Sequence, residues 1–231
     1  MKLLGVKSVI RRKRSKYIQS TPEISAKNVL SRDFNATKPN EKWVTDVTEF
    51  KIKGIKQKLY LCVILDLYDR TVVAYYISTR NDNNLVFKTY ELAISLNLGA
   101  KPILHGDRGF QFTSKVFQAK LKDAGITQSM SRVGKCIDNG PVEGFWGIIK
   151  SEMYYLNDFY SFDELKEAVE KYIKFYNYER LQERFHDMAP MTVRSEALTA
   201  EKVVQYPIKE NKRIQRYKDD LKTKQEQYTI T

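Results

Sequence analysis

The sequence is short of the residues that usually carry zinc, redox or nucleophilic chemistry: it holds two cysteines and two histidines in 231 positions. Cys62 lies inside an apolar run and Cys136 beside a turn, so neither a disulfide framework nor a cysteine-based zinc site is suggested. His105 and His186 belong to no convincing Ser-His-acid constellation, which leaves little material for the other hydrolytic chemistries. Long hydrophobic runs are missing too. The longest, LYLCVIL at 59–65, is far short of the ~20 residues needed to span a bilayer, and the N-terminus lacks the apolar stretch of a secretory signal. These absences predict a soluble intracellular protein.

Acid is scarce relative to base. Forty Lys and Arg stand against 28 Asp and Glu, a net charge of +12, which favours a polyanionic partner, nucleic acid first and an anionic membrane surface second. The excess is concentrated. Residues 1–42 hold eleven basic and three acidic side chains, with the cluster RRKRSKY at 11–17. An apolar content of 42% is enough for one sizeable core.

No compact core is read in residues 1–40, a basic segment followed by a polar linker. Three strand-like segments follow: 42–52, 58–66 and 71–78. They are rich in β-branched and aromatic residues, and turns short enough for an antiparallel meander separate them. The second is apolar almost throughout, which predicts a central strand covered on both faces. A helix capped by Asn83 or Asn84 runs to about 97, with Leu85, Leu92, Ala93 and Leu96 on one face. Short strands are expected at 101–107 and 126–130, with a helix at 114–124 between them. Pro141 fits the first position of a helix striped by Val142, Trp146, Ile149 and Met153, and Ser161 with Glu164 makes a capping box for another. The order βββ-α-β-α-β-α-α is that of an α/β protein with a mixed sheet and helices on its faces. Residues 196–231 read as a charged tail or partner-binding arm with few apolar anchors.

An ionised carboxylate inside a buried strand is expensive, so Asp46 in WVTDVTEF is informative. Asp107, where ILHG gives way to a loop, and Glu143, in the first turn after Pro141, could meet it at one edge of the sheet. Each alone also fits a blander role: a solvent residue of an edge strand, a turn residue, a helix N-terminal acid. Together they are the hard oxygen donors that a divalent cation and a phosphodiester require.

The blocks WVTDVTEF, VILDLYDR, HGDRGFQFTS, SMSRVGKCIDNGPVEGFWGIIKSE and YIKFYNYERLQERFHDMAPMTVR resemble, in order, those of bacterial insertion-sequence transposases of the two-frame OrfA/OrfB type, relatives of retroviral integrases. Thirty-five residues separate Asp107 from Glu143, the interval of this Asp-Asp-Glu family. The similarity implies a ribonuclease-H-like core over about 41–195, with a five-stranded mixed sheet. It implies DNA strand transfer as the activity, with Asp46, Asp107 and Glu143 holding two Mg²⁺ ions that Mn²⁺ could replace. It further implies DNA partners at the element's ends and target, a homo-oligomeric synaptic complex and a bacterial cytoplasmic, nucleoid-associated location. The stretch MKLLGVKSVIRRKR resembles the end of the helical region preceding this core. A truncated chain working with an OrfA helix-turn-helix protein is therefore expected, the alternative being a catalytically silent DNA-binding or regulatory fragment.

Lys150 falls on the same helical flank as Glu143, placed to hold a DNA phosphate, and Gly147 between them could admit a backbone. Arg108, Arg132 and Lys135 are further candidate phosphate contacts, and Arg11, Arg12, Lys13 and Arg14 candidates for non-specific DNA binding. Asp138 with Asn139 is expected to order the turn, His105 to pack or orient, and Asp66 to stand outside the triad.

Overall fold

The computed structural model describes residues 26–132, 136–208, 214–217 and 219. The first three strands, β1 (Lys42–Lys51), β2 (Lys58–Asp66) and β3 (Val72–Ser78), form the expected antiparallel meander. Parallel strands β4 (Ile103–Gly106) and β5 (Thr127–Met130) extend it on the β1 side, giving the order β3-β2-β1-β4-β5. The unbroken apolar run of β2 has its predicted cause. Leu59, Leu61, Val63 and Leu65 enter the core on one face, and Cys62 and Ile64 enter that on the other.

Helices α1 (Asn83–Leu96), α2 (Phe110–Thr113) and α3 (Lys115–Asp123) cover one face; α4 (Gly140–Glu152), α5 (Phe162–Tyr178) and α6 (Pro190–Thr199) cover the other. The stripe read on α4 is buried throughout: Val142, Trp146, Ile149 and Met153. Each such side chain contributes about 1.5–3 kcal/mol when fully removed from water. At the start of α5 the Ser161 hydroxyl accepts from the Glu164 N–H, but Glu164 returns to the N–H of Tyr160 rather than of Ser161.

Several local expectations are corrected. Asp82, not Asn83 or Asn84, caps α1, accepting from the Leu85 N–H at 3.1 Å; a carboxylate is an equally good acceptor for the orphan amides. Leu92 and Leu96 are exposed, Leu96 by 69%, because α1 docks through Leu85, Val86, Tyr90 and Ala93. The segment before residue 40 is not free of core contacts: Leu30, Phe34 and Ala36 are buried in the α4–α5 core. The stretch after α6 has an anchor as well. Tyr206 is buried against Tyr68 and Phe185, and the Tyr68 hydroxyl donates to the Val204 carbonyl. Among the described residues no helix is long and apolar enough to cross a membrane.

Candidate active site

The β1–β4 pairing sets the site. Val44 lies opposite His105 in parallel register, and two residues further along, the same register places Asp107, just past β4, level with Asp46. Burial is the main force on Asp46, and the field of Asp107 adds to it. Bonds from Trp146 and the Val47 backbone resist, Glu143 raises it further, and the carboxyl is pushed up to about 7. Burial likewise raises Asp107, against the pull of the Gly109 N–H, which donates to its Oδ1 at 2.7 Å. A side chain at position 109 would crowd this turn, since a Cβ there would stand 2.9 Å from the same oxygen.

Glu143 is exposed on the first turn of α4, and its direction follows from its helical neighbours. Positions 139, 143, 146 and 150 form one stripe at 100° per residue, and three of them bond to β1. The Asn139 amide donates to the Thr45 carbonyl, the Trp146 indole N–H to Asp46 Oδ2 and the Lys150 ammonium to the Thr48 hydroxyl. Glu143 lies at the exposed edge of that seam. A Cβ on Gly144 or Gly147 would meet nothing within 4 Å, so the flank beside Glu143 is open.

Among the described residues neither Asp46 nor Asp107 makes a salt bridge, and no three acidic, histidine or cysteine side chains already enclose a cation-sized space. The arrangement is a recessed pair of carboxylates with a third on the rim. Its donors are hard oxygens whose mutual repulsion a divalent cation would relieve, so the residues fit such an ion.

The other acids are held by arginine. Asp138 is fully buried and accepts from Asn28, from Arg32, and from the backbone N–H, Nε and Nη2 of Arg132. Burial works to raise it, but these bonds outweigh burial and hold it down at about 2. It therefore does more than order its own turn, joining the segment before β1 to the entry of α4. Asn139 also departs from expectation by reaching β1. Asp66 accepts from Asn40, Trp43, Tyr68 and Arg194, and Asp69 from Arg194 as well. Burial and Asp69 push Asp66 up to about 7, with Arg194 pulling the other way.

His105 is buried between the hydroxyls of Ser129 and Ser131, and burial lowers it to about 4, so it packs as a neutral ring. Arg108 Nε donates to the Ser131 carbonyl. Lys135 and the cluster Arg11, Arg12, Lys13 and Arg14 lie outside the described residues, as does the side chain of Cys136. Sequence reasoning missed Arg32, Arg194 and the polar end of Trp146. An indole counted as core still carries an N–H that needs an acceptor when buried, and that signal was available.

Two family models, both described as integrase core domain, match residues 36–136 and 143–198. The putative transposase InsK of the insertion element IS150 from Escherichia coli is 43% identical over 85% of this chain and 69% of its own length. A transposase-like protein of Haemophilus influenzae is 38% identical over 86% and 91%. The InsF transposase of IS3A from Escherichia coli is 33% identical over 64% and 51%. Among solved structures, the HTLV-2 integrase catalytic core domain in complex with magnesium is 26% identical, with a TM-score of 0.53 over 67% of this chain and 96% of that one. With its five-stranded mixed sheet and flanking helices in the ribonuclease-H-like arrangement of that core, the chain belongs to the IS3-type DDE transposases of bacterial insertion sequences.

Proposed function

We propose that Asp46, Asp107 and Glu143 are the carboxylates that bind Mg²⁺ and that the chain both cuts and joins DNA strands at the ends of its element. The observation that carries this is the convergence of acids from β1, the β4 exit and α4 with no arginine or lysine paired to Asp46 or Asp107 among the described residues. Divalent cations bound there would polarise the scissile phosphodiester and lower the pKa of an attacking water or 3′-hydroxyl.

The chain's own groups do the rest. Asp46, bonded through Oδ2 to Trp146, and Asp107, bonded through Oδ1 to the 109 amide, are fixed acceptors on rigid elements. Glu143, exposed beside Gly144 and Gly147, can approach a DNA backbone without a wall of side chains. Lys150, one helical turn beyond Trp146 on the same stripe, is suited to hold a flanking phosphate. Three carboxylates against two divalent ions leave a positive balance that a phosphate completes, so DNA and metal should bind cooperatively.

The test is direct. The protein is incubated with labelled element-end DNA and Mg²⁺ or Mn²⁺, and the products are resolved. Nicked and joined strands are expected. Nicking alone would reduce the reading to a nuclease, and binding with neither product would reduce it to a silent DNA-binding fragment. Wild-type activity in Glu143→Gln would overturn the assignment of that residue.

A further inference from the structure

The molecule contains two buried tryptophans, and each gives its indole N–H to an aspartate. Trp43 Nε1 lies 3.1 Å from Asp66 Oδ2, and Trp146 Nε1 lies 2.8 Å from Asp46 Oδ2. The settings differ. Asp66 also accepts from Asn40, Tyr68 and Arg194, so its tryptophan is one donor of four. For Asp46, Trp146 is the one side-chain donor among the described residues, helped by the backbone of Val47.

An indole N–H can only donate, and Trp146 has little freedom in where it does so. Its ring is buried with Val142, Phe145 and Ile149 on α4. The helix is held to β1 on both sides of it, by Asn139 on the Thr45 carbonyl and Lys150 on the Thr48 hydroxyl. The indole therefore arrives at Asp46 on a rigid mount, from the element that also carries Glu143. A carboxylate with one oxygen so held has its rotation fixed and presents its other oxygen, Oδ1, in a set direction. Donors of this kind, one step removed from a metal, commonly govern affinity.

We infer that Trp146 is a positioning residue for metal binding, holding Asp46 by Oδ2 so that Oδ1 faces the cation. This rests on the reading of Asp46 as a ligand. Because the same bond spans α4 and β1, it also couples the placement of Asp46 to that of Glu143.

Two measurements on the full chain test it. Mn²⁺ binding is followed by calorimetry in the wild type and in Trp146→Phe, which keeps an aromatic ring and deletes the donor. Affinity is expected to fall about 10- to 100-fold. The second needs no variant: with the tryptophans labelled with ¹⁵N, the two indole N–H signals are followed as Mg²⁺ is added. The Trp146 signal should shift with saturation while that of Trp43 stays still, and Asp46→Asn should abolish the shift. If the wild type binds Mn²⁺ while Trp146→Phe binds equally well, or the Trp146 signal does not move at saturating Mg²⁺, the positioning role is overturned and the metal site stands. If the wild type binds no Mn²⁺, the metal-site reading falls, and this inference with it.

Discussion

Asp46 on β1 and Asp138 at the entry of α4 are treated in opposite ways, although burial works to raise both. Asp46 faces Asp107 and Glu143 and is pushed up to about 7. Asp138 faces Arg32 and Arg132 and is held down at about 2. A buried acid matched by arginine has all its requirements met inside the protein and serves the fold. A recessed acid set against other acids is disfavoured when ionised, and on the proposed reading a divalent cation relieves it.

The largest expected effect comes from removing one of the opposed acids. Asp107→Asn should lower strand joining by at least about 10³-fold, equivalent to about 4 kcal/mol of transition-state stabilisation. The same change should leave the metal-free protein as stable as before or more so, because Asp46 loses a repulsive neighbour. Gel resolution of labelled DNA ends and thermal melting without metal measure the two. A destabilised Asp107→Asn would mean that the carboxylate is structural, and the contrast with Asp138 would collapse.

Asp138→Ala should do the reverse and act on the fold. It leaves Arg32, 7% exposed, with its buried guanidinium unpaired, a change that costs about 3–5 kcal/mol. At about 2–4 °C per kcal/mol for a chain of this size, the melting temperature should fall by roughly 10 °C. A shift of under about 2 °C would show that the Asp138 cluster is not a structural hub.

The two acids should also make stability depend on pH in opposite directions. Asp46 ionises near its ordinary value of 3.8 when unfolded but only near 7 when folded, so stability of the metal-free protein should decline as pH rises from about 4 to 7. Asp138 is depressed, so its contribution is present above about 4 and lost as pH falls towards 2. Melting curves from pH 3 to 8, compared with those of Asp46→Asn, isolate the first effect. Added Mg²⁺ should offset it at pH 8 and have little effect at pH 5, where the folded Asp46 is protonated.

Much of this contrast could be read from the residues alone. The strand of continuous apolar residues found its place as β2, covered on both faces, and the stripe on α4 buried the four residues it named. The grouping of Asp46, Asp107 and Glu143 rested on the resemblance to the Asp-Asp-Glu family, whose interval Asp107 and Glu143 keep. What stayed hidden was which acids receive arginines. Arg32 and Asp138 are 106 positions apart, Arg194 and Asp66 128 apart, and no local periodicity encodes a pairing at that range. For the same reason the segment 26–40 looked like a free linker. Its buried residues Leu30, Phe34 and Ala36 alternate with more exposed neighbours at a strand-like period, but Arg32, buried among them by its pairing with Asp138, hides that pattern in the sequence.

The smallest effect tests two cations that the sequence treated alike. Arg132 gives three of its donor groups to Asp138, whereas Lys150 bonds the Thr48 hydroxyl beside the opposed acids. A phosphate contact releases counterions when DNA binds, so removing one lowers the salt slope by about 1 and weakens binding without regard to sequence. Lys150→Gln should show that signature, with little change in melting temperature, in fluorescence-anisotropy titrations at several salt concentrations. Arg132→Gln should instead lower the melting temperature and leave the slope nearly unchanged, since its charge is already matched by a carboxylate. Equal salt slopes for Lys150→Gln and the wild type would remove Lys150 from the DNA path and leave its bond to β1 as its role.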